Sequence, residues 1–154
     1  MSPVTLEPIG VVRSARTDPS DSGWGDVVST IVLDARFDES ALRGLEEFSH
    51  AEIVFHFHEL AEARVCTGAR HPRDDPRWPL LGIFAQRGAG RPNRLGVSRA
   101  RVLAVRGREL DVQGLDAING TPVLDIKPWL AEFGPRAEAH QPAWCAQVME
   151  RYFD

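Results

Sequence analysis

The stretch "AEIVFHFHEL", residues 51–60, alternates Ile53, Phe55 and Phe57 against Val54, His56 and His58. A period of two marks a strand with one face turned to a core and the other mixed. Outward from it, "VTLEPIGVV" (4–12) and "DVVSTIVLD" (26–34) are rich in β-branched residues and separated by the turn-forming "TDPSDSGWG". "VSRARVLAVRG" (97–107) and "ELDVQGLDA" (109–117) predict a hairpin about "RGRE", with "LGIFA" (81–85) and "PVLDIKPWL" (122–130) as further strands. "DESALRGLEEF" (38–48) places Asp38 or Ser40 as a cap before Leu42, Leu45 and Phe48, which predicts one short amphipathic helix. "QPAWCAQVMERYF" (141–153), with Pro142 at a first helical position and Trp144, Val148, Met149 and Tyr152 on one stripe, predicts a second. Short strands without βαβ alternation give a mainly β fold, a small closed or nearly closed β-barrel with one short helix and a C-terminal helix. The barrel is expected over residues 1–135, with 136–154 a helical tail packed on the barrel or on a partner copy.

The chain has 154 residues, 43% of them apolar and 26% charged, which are proportions for one modest core. No apolar run approaches the roughly 18 residues of a membrane span. The start "MSPVTLEPIGVV" lacks the basic head and small-residue cleavage site of a secretory signal, so a cytoplasmic location is expected. Cys66 and Cys145 stand apart without CxxC spacing and read as small half-buried hydrophobes. The net charge of −4 argues against nucleic acid taken alone, but its distribution does not. Residues 64–108 hold eleven arginines against only Asp74 and Asp75. Such a segment suits an anionic partner, whether phosphate, carboxylate or RNA backbone; a solvated face is the plainer reading.

Common motifs fail. "GAGRPN" begins like a dinucleotide fingerprint, but Asn93 stands at the third glycine and Pro92 lies where a helix should run. No lysine follows a glycine, which excludes a phosphate-binding P-loop. His56 and His58 share a strand face without a third ligand at metal spacing, so no metal is expected. Two segments remain that packing alone does not explain. In "RGAGRPNRLG" (87–96), glycines allow close backbone approach, Pro92 fixes a bend, and Arg87, Arg91 and Asn93 supply donors. In "GLDAINGTPVLDIKP" (114–128), the "ING" turn leads into Thr121 and Pro122, and Val123, Asp125 and Lys127 then alternate against Leu124 and Ile126. That alternation puts a carboxylate and an ammonium on one face, either as a site or as an exposed ion pair.

"GIFAQRGAGRPNRLGVS" and "GLDAINGTPVLDIKPW", preceded by "EPIGVVRS" and "EEFSHAEIVFHFHE", closely resemble the TsaA-like, or TrmO-like, family of S-adenosylmethionine-dependent methyltransferases. The match runs from about Pro8 to Trp129, in the family's order and spacing. The resemblance implies a small β-barrel methyltransferase, distinct from the Rossmann class, working as a homodimer with S-adenosylmethionine near the subunit interface. It places the cofactor at Arg87, Val97 and the turn Asn119, Gly120, Thr121 and Pro122, together with His58 and, more loosely, Trp24, Gly25 and Asp26. Arg91 and Asn93 complete the family's arginine-proline-asparagine signature. Arg91, Asn93, His58, Asp125 and Lys127 are the residues expected to serve catalysis, His58 or Asp125 as base and Arg91 or Lys127 as cationic stabilisers.

Three departures stand out against the family pattern. Gly88-Ala89 replace Ser-Pro, Arg94 replaces a frequent proline, and Asn119 replaces the aspartate of the turn. The activity implied is N6-methylation of threonylcarbamoyladenosine in tRNA. A small-molecule acceptor, or cofactor binding without turnover, are the other readings the sequence leaves open.

Overall fold

The computed structural model describes residues 1–154 and contains eight strands. These are β1 (Gly10–Ser14), β2 (Val28–Leu33), β3 (His50–His56), β4 (Ala69–Arg70), β5 (Leu81–Gly82), β6 (Leu95–Arg106), β7 (Glu109–Gln113) and β8 (Pro122–Pro128). Six of them close into a barrel in the order β1-β2-β7-β6-β3-β8, every pair antiparallel, while β4 and β5 form a separate ribbon. Because β1 bonds to both β2 and β8, the barrel has no free edge.

The interior is filled by side chains of alternate residues. Ala51, Ile53 and Phe55 of β3 meet Ile31, Ala100, Leu110, Val112 and Val123 from the other walls. A narrow barrel needs small residues opposite large ones. Phe55 lies opposite Gly96, whose missing side chain makes room for the ring. Leu42 and Leu45, from the connection between β2 and β3, complete the core.

Local structure departs from the sequence reading in four places. The expected helix over 38–48 is two 3-10 turns, Glu39–Leu42 and Leu45–Glu47, because Gly44 takes the left-handed φ of 91° between them. Asp38 does cap the first turn, accepting from Ser40 N. "LGIFA" is a two-residue strand followed by the 3-10 turn Ile83–Ala85. The C-terminal helix, α1, covers only Ala143–Val148, with Pro142 as its cap. The chain then turns back, so that Gly23, Trp24 and Gly25 N–H groups donate to the carbonyls of Arg151, Tyr152 and Phe153. Those bonds tie the tail to its own chain.

The fourth departure concerns β8, where Val54 lies opposite Asp125 but Phe55 lies opposite Val123, leaving Leu124 as an extra residue. A bulge of one residue reverses the alternation beyond it. Val123 and Ile126 therefore both face the core, and Asp125 and Lys127 do not continue the face of Val123 as the unbroken alternation required.

Candidate active site

The loop between β5 and β6 is shaped by its own main chain. Gln86 donates its side-chain amide to the Arg70 carbonyl at 2.8 Å and the Leu81 carbonyl at 2.9 Å, and Arg91 Nη1 donates to Gln86 O at 2.7 Å. Cys66 N donates to Gly90 O at 2.9 Å, so the loop lies against the 57–66 segment. Asn93 and Arg94 both take positive φ, 64° and 49°. Arg94 Nη1 donates to Leu60 O at 2.7 Å, and Arg87 Nη2 to Val97 O at 2.5 Å. The guanidiniums of Arg87, Arg91 and Arg94 are thus held by backbone carbonyls rather than carboxylates. Their positions are fixed without their charge being neutralised.

The second turn is anchored on β1. Asn119 N donates to Arg16 O and Gly120 N to Val12 O, each at 2.8 Å, and Val12 N returns a bond to Thr121 O at 2.9 Å. Asn119 Oδ1 accepts from Ser14 N at 3.1 Å, and Gly120 has a φ of 81°. The residues after β3 join the two turns. Phe57 N donates to Arg94 O at 2.9 Å, while His58 Nε2 lies 3.6 Å from where a Cβ on Gly120 would stand. Two segments separated by some twenty-five residues of barrel wall are therefore reached by consecutive residues, the first by Phe57 and the second by His58.

Residues 12–134 match the family described as the tRNA-methyltransferase O N-terminal domain. The chain belongs to that family. It is 36% identical over 151 residues to the Escherichia coli "tRNA (adenine(37)-N6)-methyltransferase", with 90% of this chain and 64% of that protein covered. It is 35% identical over 130 residues to a "Probable S-adenosyl-L-methionine-binding protein" of Methanothermobacter thermautotrophicus, covering 82% of this chain and 90% of that one. The crystal structure of TrmO from Pseudomonas aeruginosa superposes with a TM-score of 0.73 at 32% identity, over 90% of this chain and 61% of that chain. The chain therefore spans about three-fifths of the length of the E. coli and P. aeruginosa proteins.

Within this TrmO-family domain, the three departures acquire structural meaning. Arg94, at φ 49°, occupies a conformation that proline, fixed near −65°, cannot take. The asparagine at 119 uses its Oδ1 to hold Ser14 N, a bond that an aspartate would accept equally, so the substitution keeps the turn and removes only a charge. At Gly88 a Cβ would meet nothing within 4 Å, which leaves open space beside the arginines. The donors on the first turn, the open backbone at Gly88 and the main-chain groups of the second suit a molecule with a carboxylate at one end and a nucleoside at the other.

Sequence reading missed Asp116, which is half-buried three residues before the second turn. Tyr152 donates its hydroxyl to Asp116 Oδ2 at 2.5 Å, and the Ser98 hydroxyl donates to Oδ1. Burial pushes the Asp116 carboxyl above the usual carboxylate range, against the lowering effect of the Tyr152 bond and of the Arg87 charge. Burial likewise pushes the Tyr152 phenol up, with the Asp116 charge adding to it. The signal was present in "GLDAING": an acid between Leu115 and Ala117, both fully buried, directly before a glycine turn.

A folded carboxyl with a raised pKa binds more protons than the unfolded one. Its contribution to stability is complete at low pH and declines as pH rises from the unfolded carboxylate value through the folded one. Asp116→Asn keeps an acceptor for Tyr152 and removes the titration. Denaturant melts of D116N should show a flatter pH dependence than the parent as pH rises above the ordinary carboxylate range. Asp116→Ala leaves the phenol unpartnered and should lose about 1–3 kcal/mol.

The remaining expected site residues are placed as follows. Trp24 is buried, its indole N–H donating to Ser20 O at 2.9 Å and its ring covered by Arg16 at 3.8 Å. Gly25 sits so close to Phe153 O that no side chain fits there, and Asp26 accepts from Gln113 at 3.4 Å. Val97 is exposed on β6, opposite Val54. Asp125 and Lys127 pair with one another at 2.8 Å, exposed on β8. Asp125 also lines a groove with Leu42, Leu45 and Phe48, away from the two turns. His56 is held below its ordinary value by burial first and then by Arg94 and His58, so it is neutral at pH 7. No group of three or more His, Cys, Asp or Glu residues is placed to hold a metal.

Proposed function

We propose that this chain is an S-adenosylmethionine-dependent methyltransferase acting at N6 of threonylcarbamoyladenosine in tRNA. Family membership supports the reaction class, and the approach of the arginine loop and the Asn119–Pro122 turn to consecutive residues, Phe57 and His58, is the observation that carries the site. Arg87 and Arg91 would hold the cofactor's carboxylate, and the main chain around Gly120 its nucleoside. The cofactor supplies a methyl group already activated on a sulfonium: the acceptor nitrogen's electron pair forms the new bond, the carbon–sulfur pair returns to sulfur, and the nitrogen's proton departs.

The protein's share is alignment, exclusion of water and removal of that proton. We take His58 as the base that removes it, with Asp125, which pairs with Lys127 at 2.8 Å, as the alternative. We further read the molecule as a cytoplasmic homodimer with the cofactor near the subunit interface, which sedimentation would test. No helix is long and apolar enough to cross a membrane. Mass spectrometry of tRNA from a deletion strain should show loss of the N6-methyl group and its return on complementation. Unchanged tRNA modification would move the acceptor to a small molecule.

A further inference from the structure

Asp116 stands where the ladder between β6 and β7 stops short. β7 pairs with β6 only from Arg101 to Arg106, so Leu95–Ala100 is bonded to β3 on one side and to no strand on the other. β7 ends at Gln113, Gly114 turns the chain at a φ of 80°, and Asp116 follows between buried Leu115 and Ala117. Its Oδ1 accepts from the hydroxyl of Ser98, within that one-sided stretch, and its Oδ2 from the Tyr152 hydroxyl at 2.5 Å. One carboxyl therefore joins β6, the approach to the Asn119–Pro122 turn and the C-terminal tail, across 18 and 36 residues of sequence.

Packing alone does not ask for an acid here. Leu115 and Ala117 already bury the segment, and a carboxyl between them carries a desolvation cost that an apolar side chain would not. Both oxygens are engaged by hydroxyls rather than by a cation. What the carboxyl reaches is the arginine loop. Ser98 follows Val97, whose carbonyl holds Arg87 Nη2 at 2.5 Å, and the Arg87 charge acts on both Asp116 and Tyr152. Tyr152 is a fixed post, because the Arg151, Tyr152 and Phe153 carbonyls accept from the N–H groups of Gly23, Trp24 and Gly25. We infer that Asp116 is a positioning residue for the methyl-donor site: braced by Tyr152, it holds the Val97–Ser98 end of β6, and with it Arg87, in register with the Asn119–Pro122 turn. This rests on the methyltransferase reading above and extends its site to the C-terminal tail.

The experiment compares the full chain with Asp116→Asn, Tyr152→Phe and the double variant Asp116→Leu/Tyr152→Phe. It reads the S-adenosylmethionine dissociation constant by calorimetry, cofactor KM and kcat with tRNA, and the thermal midpoint. The double variant exchanges a buried polar pair for apolar groups of similar shape, so its thermal midpoint should stay close to the parent's. Its cofactor dissociation constant and KM should rise about tenfold, while kcat changes less than about threefold, the pattern of a lost binding contact. Tyr152→Phe keeps the ring and removes only the brace, and should raise the same two constants about three- to tenfold. Asp116→Asn should recover most of the loss, because its Oδ1 and its amide, with one hydroxyl reversed, can keep both bonds.

Parental cofactor affinity in Tyr152→Phe and in the double variant overturns the inference and leaves the methyltransferase reading standing. A loss in Asp116→Asn as large as in the double variant overturns it equally, since charge and not bonding geometry would then be the essential property. A fall in kcat with cofactor KM unchanged does the same. If the unaltered chain binds no S-adenosylmethionine, the methyltransferase reading itself falls, and the inference with it.

Discussion

Phe55→Ala is expected to lower stability by about 3–5 kcal/mol, measured by denaturant unfolding. That is a large part of the 5–15 kcal/mol typical of a domain. Phe55 is among the largest fully buried side chains, its ring edge-on to Phe57 at 5.2 Å and lying over Gly96 on the paired strand. Gly96→Ala should also be costly, because its Cβ would overlap the edge of the Phe55 ring at Cζ and Cε2. The two losses should not add. In the double variant the new methyl enters the space the ring vacated, so the combined destabilisation is expected to be smaller than the sum by about 1 kcal/mol or more. Strict additivity would mean that the ring and the glycine are not packed face to face.

Arg91→Lys should reduce kcat/KM for methyl transfer roughly ten- to hundredfold, corresponding to about 1.5–3 kcal/mol for a charged hydrogen-bonded contact. Lysine keeps the charge but not the planar fork that bonds Gln86 O with one nitrogen and leaves the rest for an anion. The loss should be seen in cofactor KM if Arg91 grips the carboxylate and in kcat if it stabilises developing charge. Lys127→Ala is the contrasting case. Its ammonium is exposed and already paired with Asp125, so both rate and stability should change little. A loss of activity in K127A equal to that in R91K would place the reaction on the wrong end of β8.

Much of the barrel was legible because alternation is a local property. The apolar positions of 51–57 and the hairpin at 106–109 follow from a period of two and a glycine turn, whatever the rest of the chain does. What alternation cannot carry is an inserted residue. At Leu124 one extra position took Asp125 and Lys127 off the face of Val123, and of the two readings left open for them, a site or an exposed ion pair, the structure shows them paired with one another on the surface. The helix expected at 38–48 failed for a related reason: one glycine with a positive φ broke a pattern whose spacing was otherwise helical.

The candidate site divides in the same way. Its chemistry was written in two short motifs, the arginines of 87–94 and the turn of 119–122, since residue type alone supplies a guanidinium or a glycine hinge. Their proximity to Phe57 and His58, and the pairing of Asp116 with Tyr152 across 36 residues, were not. The sequence by itself determined most of the strands, their inward faces wherever alternation runs unbroken, and the donors available to a ligand, because these depend on neighbours one or two residues away. The tertiary structure alone decided which donors stay charged and which acid is buried, because charge pairing and burial are properties of groups that meet only when the barrel closes.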